Sequence, residues 1–259
     1  AIRRQRQMCI RDRCIIKLVI VMKKFLLFFL LIILLIGGSL GFYGYSLYDK
    51  AIKEEPLASK IEKIQSDKNY IKFSKLPKDY LNAVVSVEDR RFYNHGAIDL
   101  RSIGRAIYVN ITNFDLREGG STITQQLAKN IYFSQEKSFS RKIAEVFMAM
   151  KIESEYSKEE ILDLYVNSIY YGDGYYTLKS ACEGYFGKEP EAMNDYECTL
   201  LVGVPNAPSV YAPTASMELA EKRQNQVLEA MLRQGMIDEE DKQMILAQEA
   251  AGDSGFFIV

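Results

Sequence analysis

One histidine stands among 259 residues, and that scarcity removes whole classes of chemistry. A zinc site of the His-Glu-x-x-His kind needs two imidazoles, and a Ser-His-Asp triad would have to rest on His95, around which no supporting pattern lies. Glycine fingerprints for nucleotide phosphates, of Walker or dinucleotide type, are missing as well. Cysteine is nearly as scarce. Of the four present, Cys9 and Cys14 fall near the amino terminus, and only Cys182 and Cys198 belong to the later body. Both sit in apolar, helical stretches, which predicts buried free thiols in place of a disulfide framework. Period-two alternation is almost absent and no unit recurs at a fixed interval, so neither a β-rich fold nor a repeat array is expected. What the chain does have is 48% hydrophobic and 26% charged residues, the composition of a folded protein.

The formal net charge of −1 conceals an asymmetry. Residues 1–24 hold eight of the 33 basic side chains and one of the 34 acidic ones, which leaves the remainder at −8. An acidic body argues against a nucleic-acid partner, and a basic end before an apolar run points to a membrane. Phe25 to Tyr48 are 24 residues without a charge. As a helix they reach about 36 Å, enough for a hydrocarbon core of about 30 Å. Lys23 and Lys24 before the run put the amino terminus in the cytoplasm and everything from Asp49 onward outside. The length of the run favours an uncleaved anchor at 25–48 over a signal peptide, whose small-residue end Gly37-Gly38-Ser39 would supply. Met22-Lys23-Lys24 reads as a start in its own right, which makes residues 1–21 an upstream read-through or else part of a basic cytoplasmic end.

Residues 49–75 are thin in hydrophobicity and are expected to be a membrane-proximal linker or a short edge strand. From 76 to 250 helix signals follow one another. Pro77 opens a helix that ends near Glu88; a second begins near Asp99 with Ile103, Ile107 and Ile111 at spacing four. Ser121 is read as the N-cap of a third carrying Ile123, Leu127 and Ile131, and Ser140 as the cap of a fourth through Ile143, Phe147 and Ile152. Ser157-Lys158-Glu159-Glu160 is a capping box. Later helices are expected over 177–186 with Gly187 as the stop, 194–204, 216–234 and 238–250. The body is therefore mainly α, and residues 251–259 are a tail or the point of a truncation.

With a His-based zinc site and a serine triad set aside, acid–base work by carboxylates remains, and polar residues concentrate in three places. Glu88-Asp89-Arg90-Arg91-Phe92-Tyr93-Asn94-His95-Gly96 follows an apolar run, which sets Glu88 at the edge of a hydrophobic wall, the setting of a general base. Gly119 to Asn130 is a Gly-Gly turn that delivers a Ser-Thr helix start, where free N–H groups and hydroxyls suit an anion such as a phosphate. Gln126 and Lys129 share a face there. In Arg141-Lys142-Ile143-Ala144-Glu145, Arg141 and Glu145 form an i, i+4 pair. Each feature alone is more commonly a helix end, a cap or a solvated surface pair.

In their order and content these segments resemble the peptidoglycan glycosyltransferase family, found as monofunctional biosynthetic transglycosylases and in the front half of class A penicillin-binding proteins. The family's Glu-Asp-x-x-Phe-x-x-His-x-Gly motif is matched by Glu88, Asp89, Phe92 and His95, with Ala97 where the last glycine is expected. Gly119 to Asn130 matches in full, as do Arg141-Lys142-x-x-Glu145 and Ile161-Leu162-x-x-Tyr165-x-Asn167-x-x-Tyr170-x-Gly172. Tyr185 to Lys188 and Gly203 to Ser209 continue the likeness. The resemblance implies a lysozyme-like, mainly helical fold with a larger lobe and a smaller hydrophobic, membrane-proximal jaw, for which Ile103 to Phe114 is the candidate.

It further implies the polymerisation of lipid II, with a growing lipid-linked glycan strand as the other substrate, inversion at C1 and release of undecaprenyl pyrophosphate. Carried over residue by residue, Glu88 is the general base and Glu145 the second catalytic carboxylate. Ser121, Thr122, Gln126, Lys129, Asn130 and Arg141 line the substrate, while Asp89, Phe92, His95 and Asn167 support the site, and Tyr165 is read as structural. No cofactor is obligatory; Glu145 either orients Arg141 or holds a divalent cation, Mg or Mn, against the pyrophosphate. Cell-wall synthesis proteins are the expected partners beside the cytoplasmic membrane. A lysozyme-like lytic glycosidase, or a membrane-tethered scaffold without activity, remains the alternative. A single Ser-x-x-Lys match, Ser134 to Lys137, lacks the companions of a transpeptidase and reads as chance.

Overall fold

A computed structural model describes residues 2–113, 119–133 and 138–250. Phe114, the Ser134 to Lys137 match and the tail at 251–259 lie outside the described residues. Among the described residues there is no strand; the protein is mainly α, as its patterning predicts.

Helix α1 (Ile2–Glu54) contains, from Ile20, a stretch long and apolar enough to cross a membrane. The segment at 49–75 corrects the sequence reading, because it is neither linker nor strand. Helix α1 continues to Glu54, α2 (Leu57–Gln65) follows, and a single 3-10 turn occupies Phe73–Lys75. Leu57 and Ile61, four residues apart, are 2% and 3% exposed and belong to the core. The opposite face is charged, and Glu55 pairs with both Lys60 and Lys63. Nine residues with two inward positions make an amphipathic helix, yet their average hydrophobicity is low, which is why composition suggested a linker.

After Pro77, α3 (Lys78–Glu88) buries Tyr80, Leu81, Val84 and Val85 and ends where expected. Helix α4 (Leu100–Asn113) starts on Asp99, whose Oδ1 accepts the N–H of Arg101 at 2.9 Å and of Ser102 at 3.1 Å. Burial acts to raise the Asp99 carboxyl. Bonds from Arg91, Ser102 and those N–H groups outweigh it and hold the carboxyl well below the usual range. The isoleucines of α4 do not face the core: Ile107 and Ile111 are 55% and 66% exposed, with Leu100 and Tyr108 beside them.

Two helix starts also move. Helix α5 (Ile123–Tyr132) is capped by Thr122, not Ser121, because Thr122 and Gln125 form the reciprocal capping box that Ser121 and Thr124 cannot. Helix α6 (Phe139–Glu155) is capped by Ser138, which leaves Ser140 in the first turn. Helix α7 (Lys158–Val166) opens on the Ser157–Glu160 box as predicted. Helix α8 (Leu178–Phe186) stops at Gly187, whose φ of 65° is left-handed. Then come α9 (Asp195–Gly203), the short α10 (Pro208–Tyr211), α11 (Met217–Arg233) and α12 (Glu239–Ala250).

Helix α1 lies along α6, α5 packs on α6 and α7, and α3, α9 and α11 pack together with α12 on α9. Tyr80, Phe92, Leu127, Met148, Ile161 and Tyr196 are wholly buried between these groups. Cys182 and Cys198 are buried free thiols, and burial pushes the Cys182 thiol up to about 12. The arrangement brings the end of α3, the length of α5 and the first half of α6 to one place.

Candidate functional site

Glu88 is the last residue of α3, half-buried, and its carboxylate accepts a hydrogen bond from Gln126 Nε2 of α5 at 2.7 Å. Tyr165 of α7 donates its hydroxyl to Gln126 Oε1 at 3.2 Å. Burial first, then the charge of Glu88, lifts the Tyr165 phenol well above its ordinary range, so it remains a donor. A donor on the amide oxygen leaves the amide nitrogen to Glu88, and this fixes both groups. Tyr165, read from the sequence as structural, thus positions the expected base through Gln126. Only the fold brings α7 to α5, so spacing gave no signal of it.

Asp89 takes the opposite role from its neighbour. It is 7% exposed, accepts the N–H of Ile123 at 3.1 Å and faces His95 Nε2 at 2.7 Å. His95 Nδ1 in turn lies 2.6 Å from the Gly96 carbonyl. The pair binds the loop after α3 to the start of α5, and His95 fastens that loop through Asp89. Phe92 is wholly buried beneath Lys158, whose Nζ stands 4.4 Å from the ring centroid.

The turn before α5 engages within the protein several of the donors expected to be free. The Ile123 N–H is taken by Asp89, and the Gln125 N–H by Thr122 Oγ1 at 3.1 Å. The Thr122 hydroxyl itself donates to the Ala97 carbonyl at 3.0 Å, and the residue is 1% exposed. Thr122 is therefore a joint between two loops, where substrate contact was expected. Gly120 approaches α4 so closely that a Cβ there would lie 3.1 Å from Ile103 Cα. Ser121 is half-buried and accepts from Lys142 Nζ at 2.8 Å.

The positive charge comes from side chains instead. Glu145 is 1% exposed on α6 and each of its oxygens faces a cation. Arg141 Nε lies 2.9 Å from Oε1, and Lys142 Nζ 2.9 Å from Oε2. Lys142 completes the cluster although only Arg141 was singled out; its i, i+3 spacing to Glu145 was the available signal. A divalent cation at Glu145 would have to displace one of these partners, so the residues do not fit a metal there. Asp89, His95 and Asp99 come within 4.8 Å of one another but are engaged with each other, Arg91 and backbone N–H groups.

Lys129 of α5 is half-buried and has no hydrogen-bond or ion-pair partner among the described residues. Burial pushes its ammonium below the usual lysine range; Glu145 opposes this, and Arg141 and Lys142 add to it. Lys129 thus stands beside Arg141, Lys142, Glu145 and Glu88 with no ion-pair partner of its own among the described residues. Asn130, next on α5, is half-buried. Asn167 lies apart, clasping the main chain of Ile71 with bonds of 3.0 and 2.8 Å. That supports α7 against the segment after α2.

The model of the family described as Transglycosylase matches residues 54–232. Penicillin-binding protein 1F of Bacillus subtilis (strain 168) is 40% identical over 178 residues, covering 69% of this chain and 25% of that protein. Penicillin-binding protein 1A of Pseudomonas aeruginosa is 41% identical over 170 residues, or 66% of this chain and 21% of its own length. The chain therefore spans about a quarter of the curated relatives it matches. Among solved structures, penicillin-binding protein 1A of Haemophilus influenzae aligns with 68% of this chain and 17% of its own at 21% identity, with a TM-score of 0.41.

Proposed function

This chain belongs to the transglycosylase family, and from that premise we propose that it polymerises peptidoglycan glycan strands from lipid-linked disaccharide-peptide units. The half-buried ammonium of Lys129, without an ion-pair partner among the described residues and beside Arg141 and Lys142, is the observation that carries the reading. A glycosidase needs carboxylates but no such cluster of cations, whereas a departing pyrophosphate needs cations fixed in advance.

In this reaction Glu88 takes the proton of the acceptor sugar's 4-hydroxyl. The freed oxygen pair bonds to C1 of the donor as the bond from C1 to the pyrophosphate oxygen breaks, with inversion. The pyrophosphate leaves with that bonding pair, met by Lys129 and Arg141. Gln126, held by Tyr165, keeps Glu88 aimed, and Glu145 orients Arg141 and Lys142 without a bound metal. The donor is lipid II, and the released group is undecaprenyl pyrophosphate. Helix α1 anchors the protein once in the cytoplasmic membrane, with Lys23 and Lys24 inside and the domain outside, where lipid-carried substrate is concentrated.

Incubation of the full chain with lipid-linked precursor and, separately, with finished glycan tests this. Polymer is expected from the first, and Glu88→Gln is expected to lower its rate by about 10²-fold or more with the melting temperature unchanged. Fragments from finished glycan without any polymer would establish a lytic enzyme. Polymer formation unaltered by Glu88→Gln would remove Glu88 from the chemistry.

A further inference from the structure

Four glycines lie in the apolar part of α1, and they are not equivalent. A Cβ at Gly37, Gly38 or Gly41 would meet nothing within 4 Å. At Gly44 it would lie 2.6 Å from both Cβ and Cγ2 of Ile143 and 2.9 Å from the Ser140 carbonyl oxygen. Gly44 is buried although its neighbours Tyr43 and Tyr45 are exposed. These atoms leave no room for a side chain, so the main chain of α1 at Gly44 packs directly on the Ile143 side chain and the Ser140 carbonyl of α6.

One and four residues further on, the contact continues through aromatic rings. Tyr45 and Tyr48 pack on Phe147 with centroids 5.3 and 5.9 Å apart. Gly44 meets Ser140 and Ile143 while Tyr48 meets Phe147, so α1 and α6 run parallel. The other face of the same turns of α6 carries Arg141, Lys142 and Glu145.

The position of Gly44 along α1 gives this contact a meaning. From Phe25, the first residue after the lysine pair, it is about 28 Å along the helix, against a hydrocarbon core of about 30 Å. With Phe25 at the inner edge of the hydrocarbon, the first turns of α6 would stand where it ends. Phe139, the first residue of that helix, is 84% exposed.

We infer that Gly44 is a positioning residue: it seats α1 against the start of α6 and so fixes the height of the Arg141–Lys142–Glu145 cluster above the bilayer, at the level of a lipid-borne pyrophosphate. The inference rests on the polymerase reading given above. It goes beyond that reading in making the anchor part of the site's geometry as well as a tether.

The test uses the full chain in two settings: reconstituted in phospholipid vesicles with a long-chain polyprenyl donor, and in detergent with a short-chain, water-soluble donor. Gly44→Leu is expected to lose 10-fold or more of its kcat/KM in vesicles and to stay within threefold of the unsubstituted chain in detergent. Gly41→Leu, in open space, is expected to match the unsubstituted chain in both. Replacing Ile143 by Gly in a Gly44→Ala chain removes both clashing side-chain atoms and is expected to recover part of the vesicle activity lost by Gly44→Ala alone. Equal loss in both settings, with a lowered melting temperature, would reduce Gly44 to ordinary packing and overturn the inference. So would full activity of Gly44→Leu in vesicles. An unsubstituted chain without polymerase activity in either setting would instead overturn the functional reading on which the inference stands.

Discussion

Lys129 shows most directly how the site sets function against stability. Its ammonium is half-buried without a side-chain partner among the described residues, and burial lowers its pKa. A lysine with a lowered folded-state pKa binds its proton more weakly than the unfolded chain does. Its charge therefore costs stability at neutral pH, and that cost fades as pH rises through the lowered pKa toward 10.5. Lys129→Met is expected to raise the melting temperature at pH 7, by ~2–4 °C for each kcal/mol relieved, and to weaken pyrophosphate binding 10-fold or more. Melts at pH 7 and pH 10.5 check the sign, since the advantage of the variant should shrink at the higher pH. A variant less stable at pH 7 would mean that the ammonium supports the fold. At this scale the sequence was informative where partners are close along the chain. Arg141 and Glu145 announce each other at four residues' distance. Thr122 bonds to the Ala97 carbonyl across 25 positions, and Tyr165 reaches Gln126 across 39, so no spacing rule finds either.

At the scale of elements, the start of α5 joins local and distant order. Thr122 caps the helix and ties it to Ala97, while Asp89 takes the next N–H. Thr122→Ala is expected to cost ~0.5–2 kcal/mol, read as a lowered urea midpoint, because both the cap and the tie are lost. KM should stay within about twofold, since the hydroxyl is spent inside the protein. A tenfold rise in KM without a change in midpoint would put Thr122 back on the substrate. The box at Ser157 was legible because both its halves lie within four residues and no competing cap precedes it, whereas at α5 Ser121 beside Thr122 offered a rival cap. The outward turn of α4 was not, because spacing four identifies an apolar face without saying what it faces.

Over the whole molecule, the correction at 49–75 matters most. Leu57, Ile61 and Ile71 lie in the core, and Asn167 holds the Ile71 main chain from both sides. Full burial of an aliphatic side chain contributes ~1.5–3 kcal/mol, so losing three of them removes much of a domain's ~5–15 kcal/mol. A chain beginning at residue 54, where the family match begins, is expected to melt cooperatively, and one beginning at 76 is not. Circular dichroism melts of the two decide the matter, and equal cooperativity would restore 49–75 to the status of a linker.

The side-by-side, parallel course of α1 and α6 has a mechanical consequence as well. Tension applied between bilayer and domain runs along both helix axes, so it loads Gly44, Tyr45 and Tyr48 against Ile143 and Phe147 in shear and cannot unzip them one contact at a time. Under such load the contacts share the force together, and the joint should behave as a stiff mount where a loose leash would have let the domain swing.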